Sequence, residues 1–341
     1  MKLAIHKSKG LYSERWIAYC EEKSIPYKLV NCHANNILEQ LSDCSALLWH
    51  HHHGSPHDII FAKQLLFALE HAGFPVFPDF NTNWHFDDKV GQKYLFEALD
   101  IKERIPTWVF YKKSEAMEWV HQVSFPKVFK LRGGAGSQNV KLIPSKHVAE
   151  RFIRKAFGGG FKSYDAWGNL RERIRKFRLG KTTLKDVLKG FVRLVVPPPY
   201  ASIKGRDRGY IYFQEFIPGN DSDTRVIVID HKAFALKRYV RSNDFRASGS
   251  GIFKYEKSEF DERCVSLAFE LSQKLKAQCV AYDFVFDLEN KPRLIEINYG
   301  FLPSGYDACP GYWDEKLSWH EGKFNPYGWM VERMRVLIRN V

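Results

Sequence analysis

The sequence predicts an α/β protein that opens with a parallel sheet and continues as α+β. Three observations predict it. Strand and helix patterns alternate over residues 1–80, which argues an open, mostly parallel sheet. Beyond residue 210, alternating strands are joined by turn sequences, Asp230-His231 and Glu289-Asn290-Lys291-Pro292, as in hairpins. The chain has 341 residues, 45% hydrophobic and 15% aromatic, which suits two or three domains with a buried core.

The elements follow in order. Residues 1–7, 27–32, 46–50 and 75–79 read as strands. Residues 13–24, 36–44 and 58–73 read as the helices between them, the last stopped by Gly73. The run His50 to His53 then falls at the carboxyl end of a strand, where ligands of such sheets gather. It is open to three readings: a metal site, a polar loop lining a substrate cleft, or a solvated loop. Adjacent residues cannot all point at one ion, and no fixed Cys/His spacing supports a metal.

Asp87 and Asp88 suit the first turn of a helix over 87–100. An extended segment at 105–113 and a helix at 114–123 come next. Residues 125–143 read as strand, glycine-rich loop, strand. Gly133, Gly134 and Gly136 would let a backbone cradle approach phosphate, with Lys130 before them to neutralise it. A plain tight turn fits equally. The pattern is neither the helix-opening phosphate loop nor a dinucleotide fingerprint.

Residues 158–209 differ in character. Glycine and proline joints flank one or two basic amphipathic helices. They read either as a docking surface for an acidic or membrane-linked substrate or as a solvated helical insertion. Residues 210–219 form a strand ending in a turn, 224–240 a hairpin, 242–251 a polar loop and 260–278 a helix.

Residues 282–298, YDFVFDLENKPRLIEIN, read as a hairpin. With its turn centred on Asn290-Lys291, Asp283 faces Asn298 and Glu296 faces Val285, and residues 294, 296 and 298 share one face. Three oxygen donors then converge, a set that suits Mg²⁺ with substrate phosphates. An amphipathic hairpin with solvated acids is the other reading.

The formal charge of +13 favours an anionic partner, but no helix-turn-helix, zinc finger or RNA-recognition signature appears, so specific nucleic-acid binding is not expected. No apolar run reaches the ~18 residues of a membrane span. The six cysteines are scattered without a C-x-x-C pair, and the N-terminus has no apolar leader segment. A cytoplasmic protein with reduced thiols is expected.

Taken in order, these signals are Lys89 at a helix start, Lys130 before a glycine loop, Gln214-Glu215-Phe216-Ile217, Asp223-x-Arg225, Asp244-Phe245-Arg246, and Asp283 with Glu296-x-Asn298. The order resembles the ATP-grasp superfamily over roughly residues 1–160 and 210–300. It looks closest to the ligases that add glutamate to a ribosomal protein, with glutathione synthetase and D-alanine–D-alanine ligase more distant. The resemblance implies an N-terminal α/β domain (1–85), a central subdomain with the basic insertion (86–213) and a C-terminal subdomain (214–341), the last two clamping ATP. It implies that Lys89 and Lys130 hold the nucleotide phosphates and that Gly133 to Ser137 close over them. Glu215, Phe216 and Ile217 would read adenine, and Asp223 would lie near the sugar. Arg225 and Arg246 would lie near the phosphates and acyl centre. Asp283, Glu296 and Asn298 would hold Mg²⁺, with Mn²⁺ as an alternative.

The implied activity is ATP-dependent carboxylate–amine ligation through an acyl phosphate, on an acidic peptide or protein or a uronic-acid saccharide. A non-ligating nucleotide-binding or phosphotransfer protein of this fold, and a charge-driven binder of anionic polymers, are the alternatives. Three departures from the family pattern stand out: the long aromatic stretch after Asn298, Ala281 where D-alanine–D-alanine ligases carry an Arg, and the insertion. The second argues against that dipeptide ligation, and substrate identity is expected in these differences.

Overall fold

A computed structural model of the chain describes residues 1–134, 139–162, 164–178, 180, 182–198, 201, 203, 205–240, 245–246 and 251–339. Strands β1 (Leu3–His6), β2 (Tyr27–Val30), β3 (Ala46–Leu48) and β4 (Val76–Phe77) form a parallel sheet in the order β2-β1-β3-β4. Every residue of β1 is buried, as expected of a strand covered on both faces. Helix Pro56–His71 begins where Ser55 accepts a hydrogen bond from the Asp58 amide and Pro56 takes the first helical position.

The second sheet contains β5 (Thr107–Phe110), β6 (Lys127–Lys130) and β7 (Lys141–Ile143). Two short strands, β8 (Phe161–Lys162) and β9 (Arg206–Asp207), pair with each other and close the ends of the basic insertion. Strand β10 (Ile211–Glu215) then enters between β5 and β6, giving the antiparallel order β5-β10-β6-β7. The boundary expected between residues 213 and 214 thus falls inside a strand.

The third sheet is antiparallel. It is built from β11 (Ser222–Ile229), β12 (Lys232–Tyr239), β13 (Phe253–Lys254), β14 (Cys279–Phe286), β15 (Pro292–Asn298), β16 (Gly311–Asp314) and β17 (Trp319–Glu321), ordered β15-β14-β11-β12-β16-β17 with β13 on β12. Strand alternation gives it two buried faces. Val226, Val228 and Ala235 pack with helix Glu262–Leu275, while Ile227, Ile229 and Phe234 pack with β1, helix Tyr12–Glu22 and helix Pro326–Arg339. Arg225 and Asp223 lie two and four residues before Ile227, on that second face, where the core gives way to a cleft.

The long aromatic stretch after Asn298 folds in part. It supplies β16, β17 and the start of helix Pro326–Arg339. Trp313 is fully buried, and the Asn325 side chain accepts from the amides of Tyr327 and Gly328. Among the described residues no helix is long and apolar enough to cross a membrane.

Candidate active site

A cleft with about 960 Å³ of empty space lies between the second and third sheets. Its walls carry Val128 and Lys130 from β6, Gln214 and Glu215 from β10, Asp223 from β11, Arg238 from β12, Asp283 from β14 and Glu296 from β15. A second cleft, with about 940 Å³ of empty space, is lined by His50, His52, His53, Phe86, Arg225, Asn298 and Phe301. The two share Lys89, Gly134 and Glu296. These three residues mark the junction.

A ladder of charge crosses the floor of the site. Asp223 on β11 faces Arg238 on β12, and Arg225 on β11 faces Asp283 on β14, which in turn faces Glu296 on β15. Arg238 Nε and Nη2 donate to the two Asp223 oxygens at 2.6 and 2.7 Å. Arg225 Nε and Nη2 donate to Asp283 at 2.5 and 2.6 Å, and Arg238 Nη2 also reaches Asp283 Oδ2 at 3.0 Å. Such forked pairs are the strong, geometrically fixed kind. Burial opposes ionisation of Asp283, but Arg225 and Arg238 outweigh it and hold the carboxyl well below its usual range.

Lys89 and Lys130 approach the acidic end of this ladder. Asp88 caps the helix Lys89–Ala98 by accepting from Gly91 N. Gln92, one turn on, exchanges hydrogen bonds with both the amide and carbonyl of Ile297 and so pins the helix to β15. The Lys89 ammonium donates to Gly134 O at 3.1 Å and lies 3.4 Å from Glu296 Oε2. Burial disfavours its charge, yet Glu296 and Asp87 more than compensate and raise its pKa. Lys130 is also buried, and there burial wins: its pKa falls from 10.5 to about 8, with Glu296 opposing the fall. Glu296 itself is desolvated, but the two lysines hold its pKa below the ordinary value.

Gly134 lines both clefts and Gly133, before it, is buried, while Gly136 and Ser137 lie outside the described residues. Gly134 has φ +122°, donates its amide to Asp87 Oδ1 and gives its carbonyl to Lys89; a side chain would strain that backbone. The Glu215 carboxylate pairs with Lys127 Nζ at 2.7 and 2.8 Å, and its amide donates to Pro106 O. Phe216 and Ile217 line the cleft beside it. Arg246 lines the same cleft, with Nη1 3.5 Å from Val140 O.

The hairpin β14–β15 differs from the expected register. Asp283 faces Glu296, not Asn298, and Asn298 faces Ala281. The turn is organised by Asp287, whose side chain accepts from the amides of Glu289 and Lys291, with Asn290 at φ +57°. A bulge falls beyond Asp283, where Phe284 pairs with Leu294 and Ile295 is the extra residue. Leu294 therefore packs in the core instead of sharing a face with Glu296 and Asn298. The bulge leaves Asp283, Glu296 and Asn298 on one face all the same.

These three donors are two ionised carboxylates and an amide oxygen, the hard ligand set that suits Mg²⁺ beside phosphates. The Asn298 Oδ1 accepts from Gly300 N at 2.8 Å, which fixes its orientation. Among the described residues no group of three His, Cys, Asp or Glu side chains is arranged to hold a metal ion. The histidine run is not a solvated loop. His50 is buried, stacked on Tyr12 with ring centres 3.6 Å apart, and accepts from Tyr12 N. His51 is buried against Asn83. His50, His52 and His53 line the second cleft. Burial holds His50 and His52 below the ordinary histidine range, so both are neutral.

Sequence reasoning missed Arg238 and Gln92. A signal for Arg238 existed: a hairpin centred on Asp230-His231 places residue 223 opposite residue 238. Gln92 had none, because its partner is 205 residues away.

Residues 202–302 match the family described as the RimK-like ATP-grasp domain. No protein of curated function matches the sequence. Among solved structures, a RimK domain protein ATP-grasp from Sphaerobacter thermophilus is similar at 13% identity and TM-score 0.57, covering 98% of this chain and 100% of its own. The D-alanine–D-alanine ligase of Bacillus anthracis is similar at 14% identity and TM-score 0.55, covering 100% and 99%. The ATP-grasp ligase PsnB, complexed with a minimal precursor, is similar at 12% identity and TM-score 0.56, covering 98% of each chain. The chain has the fold of these ATP-grasp structures, and residues 202–302 match the RimK-like ATP-grasp domain.

Proposed function

We propose that the protein is a cytoplasmic, ADP-forming carboxylate–amine ligase. The observation that carries this reading is the meeting of two clefts at Lys89, Gly134 and Glu296. A nucleotide in the first cleft would present its terminal phosphate there to a carboxylate held in the second. Glu215, Phe216 and Ile217 take the adenine, and Asp223, already fixed by Arg238, faces the sugar. Lys89 and Lys130 hold the phosphates. Asp283, Glu296 and Asn298 would hold Mg²⁺, which when bound would neutralise phosphate charge.

A carboxylate is a poor acyl donor because its leaving group would be oxide. A carboxylate oxygen attacks the γ-phosphorus and ADP departs, leaving an acyl phosphate. The amine then attacks the carbonyl carbon, the C–O bond to phosphate breaks, and inorganic phosphate leaves. Arg225 and Arg246 stabilise negative charge on the transferring group and the tetrahedral carbon. In the second cleft the cations Lys89 and Arg225 stand beside the carboxylates Asp87 and Glu296, and neutral His50 and His52 offer directional hydrogen bonds. The chain's net charge of +13 favours an anionic substrate, an acidic peptide or protein side chain or a uronic-acid saccharide. PsnB, of the same fold, is a ligase whose structure is known in complex with a precursor peptide, which adds weight to the peptide class.

Phosphate release from MgATP tests the proposal. The panel is amino acids offered with and without acidic peptides and uronic-acid saccharides. Release that requires one carboxylate–amine pair is expected. Release that needs no amine would instead assign phosphotransfer.

A further inference from the structure

The basic insertion folds into a helical hairpin whose outer surface neither cleft uses. Helices Ala166–Arg178 and Leu184–Val195 pack on each other through Leu170, Val187 and Gly190, all buried. A methyl at Gly190 would sit 2.9 Å from both Leu170 Cδ1 and Arg173 Cδ, so the groove between the helices is filled. What remains outward is convex and apolar. Leu184, Leu188, Phe191, Val192 and Val195 are 58, 56, 51, 60 and 84% exposed. At 3.6 residues per turn they share one arc of about 100°, with Lys185 and Lys189 on its edge. Trp167, on the other helix, is 64% exposed.

This is a concentration, not a scatter of surface side chains. Among the described residues, nine of the 22 exposed large apolar side chains fall between Trp167 and Ile203. Residues 158–209 also hold thirteen Lys and Arg against four Asp and Glu, so nine of the chain's thirteen net charges sit in that segment. A second copy of the chain would bring like charge against like. A partner helix would need a groove, and the groove is filled. A fluid anionic surface needs neither: an amphipathic helix lies in its plane, apolar arc inward and cations at the headgroups.

We propose that the helical hairpin 166–195 is a peripheral membrane-docking element that binds anionic phospholipid through the Leu184–Val195 face. Its ends are tied by the β8–β9 pair, so docking would hold the catalytic clefts beside the lipid surface.

Co-sedimentation of the full chain with phosphatidylcholine vesicles, with and without phosphatidylglycerol, tests this. Binding is expected only with phosphatidylglycerol, and it should weaken as salt rises. Leu188→Ser with Phe191→Ser, which leaves the charge unchanged, should weaken it at least about tenfold, and so should Lys185→Glu with Lys189→Glu. All four side chains are exposed, so the far-ultraviolet spectrum and thermal midpoint should hold. Absence of binding to phosphatidylglycerol vesicles would overturn the proposal. So would binding undiminished by the two apolar replacements, which would be bare charge attraction. A light-scattering dimer dissolved by those replacements, or their weakening of capture on polyglutamate, each without vesicle binding, would reassign the face to a second copy or an acidic protein. None of these outcomes depends on ligase turnover.

Discussion

In the cleft, Asp223 and Asp283 are buried and each is gripped by arginine through a forked pair. On the helical hairpin the cations lie at the surface, joined to near neighbours such as Arg175 with Glu172, while Leu188 and Phe191 stand in water. The first region hides charge and the second displays apolar surface; each reverses the usual partition. Buried charge is tolerable only where partners and geometry compensate desolvation. The ladder therefore works as a fixed frame, holding Glu296 and Lys89 where the clefts meet. Exposed apolar surface, by contrast, is resolved by something outside the chain.

The largest expected effect breaks the frame. Arg238→Met removes both hydrogen bonds to Asp223 and one arginine from Asp283. The uncompensated buried carboxylates should cost about 3–5 kcal/mol of stability by chemical denaturation. Lys189→Glu on the hairpin should stay within about 0.5 kcal/mol. Similar losses in both variants would mean that the ladder is not desolvated, and the contrast between the two regions would fail.

Next comes Glu296→Ala. The side chain is 30% exposed and pairs loosely with Lys89 at 3.4 Å, and Asp87 still supports the Lys89 charge, so the thermal midpoint should move less than in Arg238→Met. Phosphate release should fall at least about a hundredfold, as when one preorganised electrostatic group is lost from a reacting centre. Unchanged release would remove Glu296 from the proposed metal set and with it the junction argument.

The two regions also differed in how far the sequence disclosed them. The alternation in 282–298 showed that Asp283, Glu296 and Asn298 share a face. It could not show the bulge at Ile295 or the Asp287-centred turn, because the same residues pattern equally well in either register. Arg238 was within reach of the hairpin arithmetic around Asp230-His231. The burial of His50 and His51 was not, since Tyr12 and Asn83, which enclose them, are distant in the chain. Asn325-Pro326 is a helix-start signal, yet the aromatic run around it reads as loop until Trp313 finds its core. On the insertion, amphipathicity was legible, but the pattern alone does not tell which apolar face packs. That was decided by Gly190, which lets the Leu170 side of the partner helix close on it.

The smallest expected effect sharpens the account of buried charge, because it carries opposite signs in stability and binding. Burial lowers the Lys130 pKa to about 8 from 10.5. The folded protein then binds fewer protons there than the unfolded chain between these two values. Its contribution to stability should therefore rise as pH climbs from about 8 toward 10.5. Phosphate, however, prefers the ammonium form. Nucleotide affinity measured by titration calorimetry should weaken above pH 8, by up to about tenfold per pH unit for one lost proton. Lys130→Arg keeps its charge throughout and should flatten that fall. Affinity that declines equally in both proteins would place the titrating group elsewhere in the cleft. A decline confined to the parent protein would tie the proton to Lys130 and show that the frame sets both the position of this cation and the pH at which it is charged.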